Sequence, residues 1–322
     1  MGRTRELKTL IGGFRLYCLA EGKQSTTIRW YMGKLAIFER YLLDHDFPID
    51  VTEITINHLR AFLAYLRDEV AADDNNPQKP ARDANLSPLT IQGYARTLKA
   101  FFSWLTREGY IAENPAERLK IPKAPKIIVE TLTEAQIHKF LAAIDHKSSQ
   151  GFRDYCIALV LLDTGIRLSE LVNLTLSDLY LDQAYFKVMG KGAKERIVPI
   201  GAKVRKALWK YIHQHRPEPI HPNVTNLFLT RDGQALKPDG VYRMIRKYGE
   251  KASLKGVRCS PHTFRHTFSK NFLLNGGDVF TLQKILGHSS LEVVKMYVQL
   301  ASEDVQIQHR RHSPVDRMKL KP

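Results

Sequence analysis

The chain has 322 residues, of which 43% are apolar and 25% are charged, proportions that exclude a largely disordered protein. Lys and Arg number 49 against 33 Asp and Glu, and the net charge of +16 predicts a polyanionic partner. No run of 18 apolar residues exists, so we expect no membrane association. The three cysteines are scattered and support neither a zinc ribbon nor a disulfide framework, so we expect a reducing, cytoplasmic location.

The positive charge is concentrated in the second part of the chain. Residues 1–122 contain 17 Lys and Arg and 15 Asp and Glu, a net charge of +2. Residues 123–322 contain 32 and 18, a net charge of +14. This asymmetry is typical of a protein in which one domain binds phosphates, so nucleic acid is the expected partner.

Residues 1–117 are predicted to form a helical domain. Apolar residues recur at helical spacing from Leu7 onward, and Ser25 and Thr26 are candidate N-caps of a second helix. A third helix is expected from about residue 56 to residue 70.

A polar, proline-broken stretch then interrupts the helical pattern. Residues 71–87 are expected to be a solvent loop. A fourth helix follows over residues 90–108, and Gly109 stands where a helix-ending glycine belongs.

Residues 118–129 are expected to be an extended basic linker between two domains. The segment RLKIPKAPKIIV carries two prolines and four cations. It can lie along a nucleic-acid backbone, and a simple solvated tether remains an equally weighted alternative.

Residues 130–322 are predicted to form an α-rich mixed α+β domain. Thr133 and Gln136 form a possible capping box, and strands at 184–189 and 195–200 are joined by a Gly-rich turn. Helices are expected at 152–164, 201–215, 238–252, 261–274, 279–286 and 290–300. The fold class is therefore mainly α with a small β-sheet.

A helix beginning near Ser260 offers a candidate anion site. Ser260 and Pro261 are residue types that start helices, and His262 and Arg265, three positions apart, share one face at its positively polarised end. A surface arginine beside a capping histidine remains the alternative. His262 and His266 have the spacing of a zinc pair, but the glutamate of a zinc-peptidase helix is missing, so no metal is predicted.

Three further segments contain residues suited to phosphate chemistry. Arg167 is followed three positions later by Glu170, which can orient it, although a surface ion pair is the alternative. Lys191 lies in the Gly-rich turn and can reach a phosphate, although a solvated lysine is the default interpretation of such a turn. Tyr297, nine residues after His288, can also be explained as a core tyrosine of an amphipathic helix.

Four segments resemble the catalytic boxes of the tyrosine recombinases, also called phage integrases, of which the bacterial Xer proteins are close relatives. In chain order they are TGIRLSEL, GKGAKERIVPI, SPHTFRHTF and LGHSSLEVVKMY. The resemblance implies a helical core-binding (SAM-like) domain over residues 1–117 and a catalytic domain over residues 130–322.

The resemblance also implies the reaction. DNA is cut and rejoined through a 3′-phosphotyrosyl intermediate, without metal, ATP or another cofactor. Tyr297 is the implied nucleophile. Arg167 and Arg265 neutralise the charge that develops on the phosphate, and Glu170 holds Arg167.

Three other residues take roles by the same resemblance. His262 accepts the phenolic proton, Lys191 donates a proton to the leaving 5′-oxygen, and His288 binds the phosphate or positions the nucleophile. Cations elsewhere are candidates for contacts with the DNA phosphates. They are Lys120, Lys123, Lys126, Lys194, Arg196 and Arg243.

The implied partners are double-stranded DNA and further recombinase protomers. The assembly is a homotetramer on a DNA synapse or a hetero-assembly with a second recombinase, and the tail at about 301–322 is the candidate protomer contact. A type IB topoisomerase and a non-catalytic DNA-binding protein remain alternatives, and a metal-dependent nuclease or transposase is the weakest.

Overall fold

The computed structural model describes residues 5–72, 82–123, 130–190, 195–287 and 313. The chain divides into two compact units, Met1–Ile127 and Ile128–Pro322. Among the helices within the described ranges, none combines the length and apolarity needed to cross a bilayer. The expected helix at 290–300 and nearly all of the tail at 301–322 lie outside those ranges.

The first unit is a helical bundle around an aromatic core. Five phenylalanines, contributed by all four of the helices given below, are almost fully buried, and burial of such large apolar rings favours folding. They are Phe14, Phe38, Phe62, Phe101 and Phe102. Its helices are α1 (Leu7–Ala20), α2 (Ser25–Asp44), α3 (Ile56–Asp68) and α4 (Pro88–Arg107).

Two details of the first unit differ from the sequence prediction. Helix α2 begins at Ser25 with Gln24 as its N-cap, and no side chain caps it, so the predicted Ser25 and Thr26 caps are wrong. The stretch predicted as a loop contains two short antiparallel strands, β1 (Ala71–Ala72) and β2 (Arg82–Asn85). Backbone pairing, which needs no apolar pattern, formed them.

Helix α4 shows how local signals set its ends. Ser87 accepts a hydrogen bond on its Oγ from the backbone N–H of Thr90 at 3.2 Å, and Pro88 occupies the first turn. Gly109 follows the helix with φ of 75°, which confirms the predicted helix-ending glycine.

The second unit packs helices around a three-stranded antiparallel sheet. The strands β3 (Leu179–Tyr180), β4 (Tyr185–Met189) and β5 (Glu195–Pro199) lie in sequence order, and Val188 pairs with Arg196. The hairpin of β4 and β5 was predicted, whereas β3 was missed because two residues carry no periodic signal. Residues 191–194 of the hairpin turn lie outside the described ranges.

Helix α6 (Ser149–Thr164) lies at the centre of this unit and is almost entirely buried. Around it the structure has α5 (Glu134–Ala142), α7 (Leu168–Asn173), α8 (Ala202–Lys210), α9 (Pro238–Lys251), α10 (Pro261–Leu274) and α11 (Val279–Leu286). Helix α8 continues as a π-helix over Tyr211–His215. The predicted fold class, mainly α with a small β-sheet, is confirmed.

Candidate active site

Helix α10 begins with the residues that the sequence indicated. Ser260 accepts a hydrogen bond on its Oγ from the backbone N–H of Thr263 at 3.2 Å, and Pro261 occupies the first turn. His262 is exposed at this end of the helix, whereas Arg265 is 6% exposed. The alternative of a surface arginine is therefore wrong for Arg265.

Arg265 bridges the ends of two other helices. Its Nη1 donates to the carbonyl of Gly165 at 2.7 Å, and its Nη2 donates to the carbonyl of Leu286 at 2.9 Å. Gly165 ends α6 with φ of 58°, and Leu286 is the last residue of α11. A buried guanidinium must have hydrogen-bond partners, and helix-ending carbonyls supply them here.

Arg167 stands at the N-cap of α7 and is paired with Glu170 as the spacing predicted. The backbone N–H of Arg167 donates to Oε2 of Glu170 at 2.8 Å, and its Nη1 donates to Oε1 at 2.9 Å. Nη2 of Arg167 donates to the carbonyl of Gly287 at 3.3 Å. The side chain of Arg167 is 35% exposed, so its guanidinium can still meet a ligand from solvent.

Arg196 binds Glu170 from strand β5. Its Nη1 donates to Oε1 at 2.9 Å and its Nη2 to Oε2 at 2.8 Å, and its Nε donates to the carbonyl of Ile285 at 2.8 Å. The sequence placed Arg196 among the phosphate-binding cations. Instead, its side chain is only 12% exposed, and its guanidinium is directed at Glu170 and α11.

Glu170 is ionised in this environment. Burial alone raises the pKa of its carboxyl, but hydrogen bonds from Arg196 and Arg167, together with the positive charge of Arg196, outweigh burial and hold the pKa below its ordinary value. A buried carboxylate between two guanidinium groups is a fixed anchor for both of them.

The last turn of α11 is surrounded by the three arginines. The carbonyls of Ile285, Leu286 and Gly287 accept from Arg196, Arg265 and Arg167, respectively. Carbonyls at a helix C-terminus have no partner in the helix and carry partial negative charge, which cations stabilise. The chain leaves this turn at Gly287, with φ of 63°, and continues to residue 288.

His266 lies one turn beyond His262 and is half-buried. Burial lowers the pKa of its imidazole to about 4, and the neighbouring His262 and Arg265 act in the same direction. Within the described ranges, no group of three His, Cys, Asp or Glu side chains is arranged to hold a metal ion.

The other predicted site residues are spread over the chain. Lys120 and Lys123 are exposed in the first unit, and Arg243 is exposed on α9 beside Arg246 and Arg258, which line the same groove. The remaining candidates lie outside the described residues. They are Lys126, Lys191, Lys194, His288 and Tyr297.

Sequence reasoning missed the connecting role of Arg196. One signal was available: Arg196 alternates with Val198 along β5, and Val198 is fully buried, so both side chains point to the core face of the strand. A cation on the core face of a strand needs an anionic partner. No local pattern indicated the three α11 carbonyls as acceptors.

Two family models match the chain. The phage integrase family matches residues 130–304, and the phage integrase SAM-like domain matches residues 9–121. Together they cover both compact units.

Among similar proteins, tyrosine recombinase XerD of Staphylococcus aureus is 30% identical over 311 residues, covering 96% of this chain and 99% of the relative. The XerD of Listeria innocua is 28% identical over 297 residues, covering 91% and 95%. The solved post-cleavage complex of XerH site-specific recombinase with a palindromic difH substrate has a TM-score of 0.69 at 20% identity, covering 92% of this chain and 82% of that chain. The likeness to that structure shows a shared fold.

Proposed function

We propose a mechanism from the premise that this chain belongs to the phage integrase family, the tyrosine recombinases, whose model matches more than half of its length. It is a site-specific recombinase. In our proposal, it cuts one DNA strand, holds the end as a 3′-phosphotyrosyl ester and rejoins it to a new partner strand.

One observation supports this mechanism above the others: Arg167 and Arg265 converge on the same helix end. They donate to the neighbouring carbonyls of Gly287 and Leu286, respectively. Two guanidinium groups held side by side can bind the non-bridging oxygens of one phosphodiester. Because they are charged at every physiological pH, they stabilise the charge of the transition state without a proton transfer.

The remaining roles are assigned to residues around this pair. The phenolic oxygen of Tyr297 attacks the phosphorus, its proton passes to His262, and the bond to the 5′-oxygen breaks. Lys191 protonates that leaving oxygen, and His288 binds the phosphate. The phosphodiester energy is kept in the protein–DNA ester, so rejoining is the same step in reverse.

The two units are assigned different contacts with duplex DNA. Residues 1–117 are the core-binding domain, 118–129 the linker, and 130–322 the catalytic domain, with the tail at 301–322 contacting a neighbouring protomer. The protomers form a homotetramer, or a hetero-assembly with a second recombinase, on two DNA sites in the cytoplasm. Phosphate contacts are assigned to Lys120, Lys123, Lys126, Lys194 and Arg243.

A suicide substrate, in which a nick next to the scissile phosphate lets the cleaved fragment diffuse away, tests the proposal. The wild-type chain should form a covalent adduct at an unchanged rate in the presence of a chelator. Tyr297→Phe should form none while binding DNA normally, because phenylalanine has no attacking oxygen. Tyr242→Phe is the matched control, since Tyr242 is an exposed tyrosine on α9.

Three results would contradict the mechanism: an adduct with Tyr297→Phe, a requirement for magnesium, or loss of the adduct with the control variant. Strand exchange between two duplexes distinguishes recombination from nicking and resealing by a topoisomerase. A chain that binds DNA but never forms an adduct would be a non-catalytic DNA-binding protein.

A further inference from the structure

We propose that Arg196 is a positioning residue of the cleavage reaction, which sets the orientation of Arg167 through Glu170 and fixes the end of α11. The inference rests on the proposed function, because it assigns Arg167 a role at the scissile phosphate. Its evidence is the hydrogen-bond geometry among β5, α7 and α11.

Glu170 is the point where the contacts meet. Oε1 accepts from Nη1 of Arg167 and Nη1 of Arg196, both at 2.9 Å. Oε2 accepts from the backbone N–H of Arg167 and Nη2 of Arg196, both at 2.8 Å. A carboxylate has about four acceptor positions, so Glu170 is saturated, and Arg196 supplies half of its donors.

Arg196 also restrains the chain where it leaves α11. Its Nε donates to the carbonyl of Ile285 at 2.8 Å. A Cβ built on Gly287 would lie 3.1 Å from Cδ, Nε and Cζ of Arg196, so the side chain lies directly against the Gly287 backbone. The residues proposed to bind the phosphate and to attack it, His288 and Tyr297, follow from this point.

The geometry favours positioning over direct contact with DNA. All three guanidinium nitrogens of Arg196 donate within the protein, two of them to Glu170 and Nε to the carbonyl of Ile285. Only a planar guanidinium can bind a carboxylate with two nitrogens and a carbonyl with the third at the same time. Lysine at this position keeps the charge but cannot make all three bonds.

The charges around Glu170 predict how the loss of Arg196 would be detected. Arg167 and Arg196 are the cations in direct contact with it, and Asp178, Lys187 and Glu195 line the small cavity beside it. Without Arg196, burial is opposed by Arg167 alone, so the pKa of the Glu170 carboxyl rises. Protonated Glu170 would hold Arg167 less firmly.

The experiment measures single-turnover cleavage of the suicide substrate at saturating DNA, from neutral to mildly acidic pH, together with the dissociation constant for DNA. The full-length wild-type chain is compared with Arg196→Met, Arg196→Lys and the double variant Arg196→Met/Glu170→Gln. Circular dichroism and a melting curve establish that each variant is folded.

We expect Arg196→Met to lower the cleavage rate constant on the order of 10²-fold, the effect of a misplaced catalytic group, with an unchanged dissociation constant. Its rate should fall further as the pH falls, because Glu170 becomes protonated. That extra pH dependence should vanish in the double variant, whose glutamine does not titrate. Arg196→Lys should also cleave slowly but without the extra pH dependence, since the positive charge remains.

Several results would overturn the inference. If Arg196→Met has a larger dissociation constant for DNA but a wild-type cleavage rate at saturating DNA, Arg196 is a phosphate contact. If Arg196→Met cleaves slowly but shows no extra pH dependence, the role of Arg196 is merely structural. If Arg196→Met does not fold, Arg196→Lys provides the test, and a wild-type cleavage rate in that variant would overturn the inference. A wild-type chain that forms no adduct would overturn the proposed function itself, which distinguishes the two failures.

Discussion

Gly165→Ala should disturb the site more than the same substitution at a glycine whose Cβ position is free of neighbouring atoms. Gly165 adopts φ of 58°, and its carbonyl accepts from Nη1 of Arg265. A Cβ there would overlap Cδ1 of Phe268 and lie 3.1 Å from Cδ2 of Leu286. The side chains of Phe268 and Leu286 belong to the cluster that packs α10 against α11, so neither side chain can move without moving a helix.

The magnitude follows from two contributions. A left-handed backbone costs a residue with a Cβ about 1–2 kcal/mol. Overpacking against Phe268 adds about 1–3 kcal/mol, so Gly165→Ala should lower the free energy of unfolding by about 2–5 kcal/mol. Gly276 is the matched control: its φ is 89°, but nothing lies within 4 Å of its Cβ position, so Gly276→Ala should lose only the first contribution.

Urea unfolding followed by circular dichroism measures both variants in the same unit of the protein. Gly165→Ala should have the lower midpoint, and it should also cleave the suicide substrate more slowly, because the carbonyl that holds Arg265 is displaced. Equal losses of stability in the two variants would show that the cluster yields to an added methyl group, and would refute the packing argument.

Two further predictions concern buried polar groups of the second unit. Asp154 accepts hydrogen bonds from Nε and Nη2 of the buried Arg153 and from the Tyr248 hydroxyl. Asp154→Asn should therefore lower the free energy of unfolding by about 3–5 kcal/mol, because it leaves the buried Arg153 without its carboxylate. Tyr248→Phe should lower it by only about 1 kcal/mol, and urea unfolding measures both variants. The pKa of His266 in the folded protein is about 4, below its ordinary value of 6.5, so between these two pH values the unfolded chain binds more protons and the free energy of unfolding should fall as the pH falls. His266→Gln should reduce that fall. If the urea midpoint of His266→Gln depends on pH as the wild-type midpoint does, His266 is not the group responsible.

Local structure was predictable wherever neighbouring residues decide it. The capping box of Thr133 and Gln136 is present, with the two expected hydrogen bonds at 2.9 and 3.2 Å. Ser260 caps the helix that its residue type indicated. Strands β1 and β3 escaped prediction because each has two residues, and their pairing partners, not their own side chains, hold them in place.

The candidate site was predictable in part, and the division has a physical cause. The pairing of Arg167 with Glu170 follows from their spacing of three residues on one helix end. Arg196, 26 residues away in the chain, could be placed on the core face of a strand but not beside a particular carboxylate. Its contact depends on how β5 packs against α7.

The amino-acid order by itself determined the helices, the hairpin, the basic second unit and the set of residue types suited to phosphate transfer, because periodicity, caps and charge act between neighbours. Only the tertiary structure decided that Arg167, Arg196 and Arg265 meet at the carbonyls of residues 285–287. Those acceptors are backbone atoms that every residue carries, so no side chain marks them in advance. They become a site only when α10, β5 and the start of α7 pack around the end of α11 and so place three cations against it.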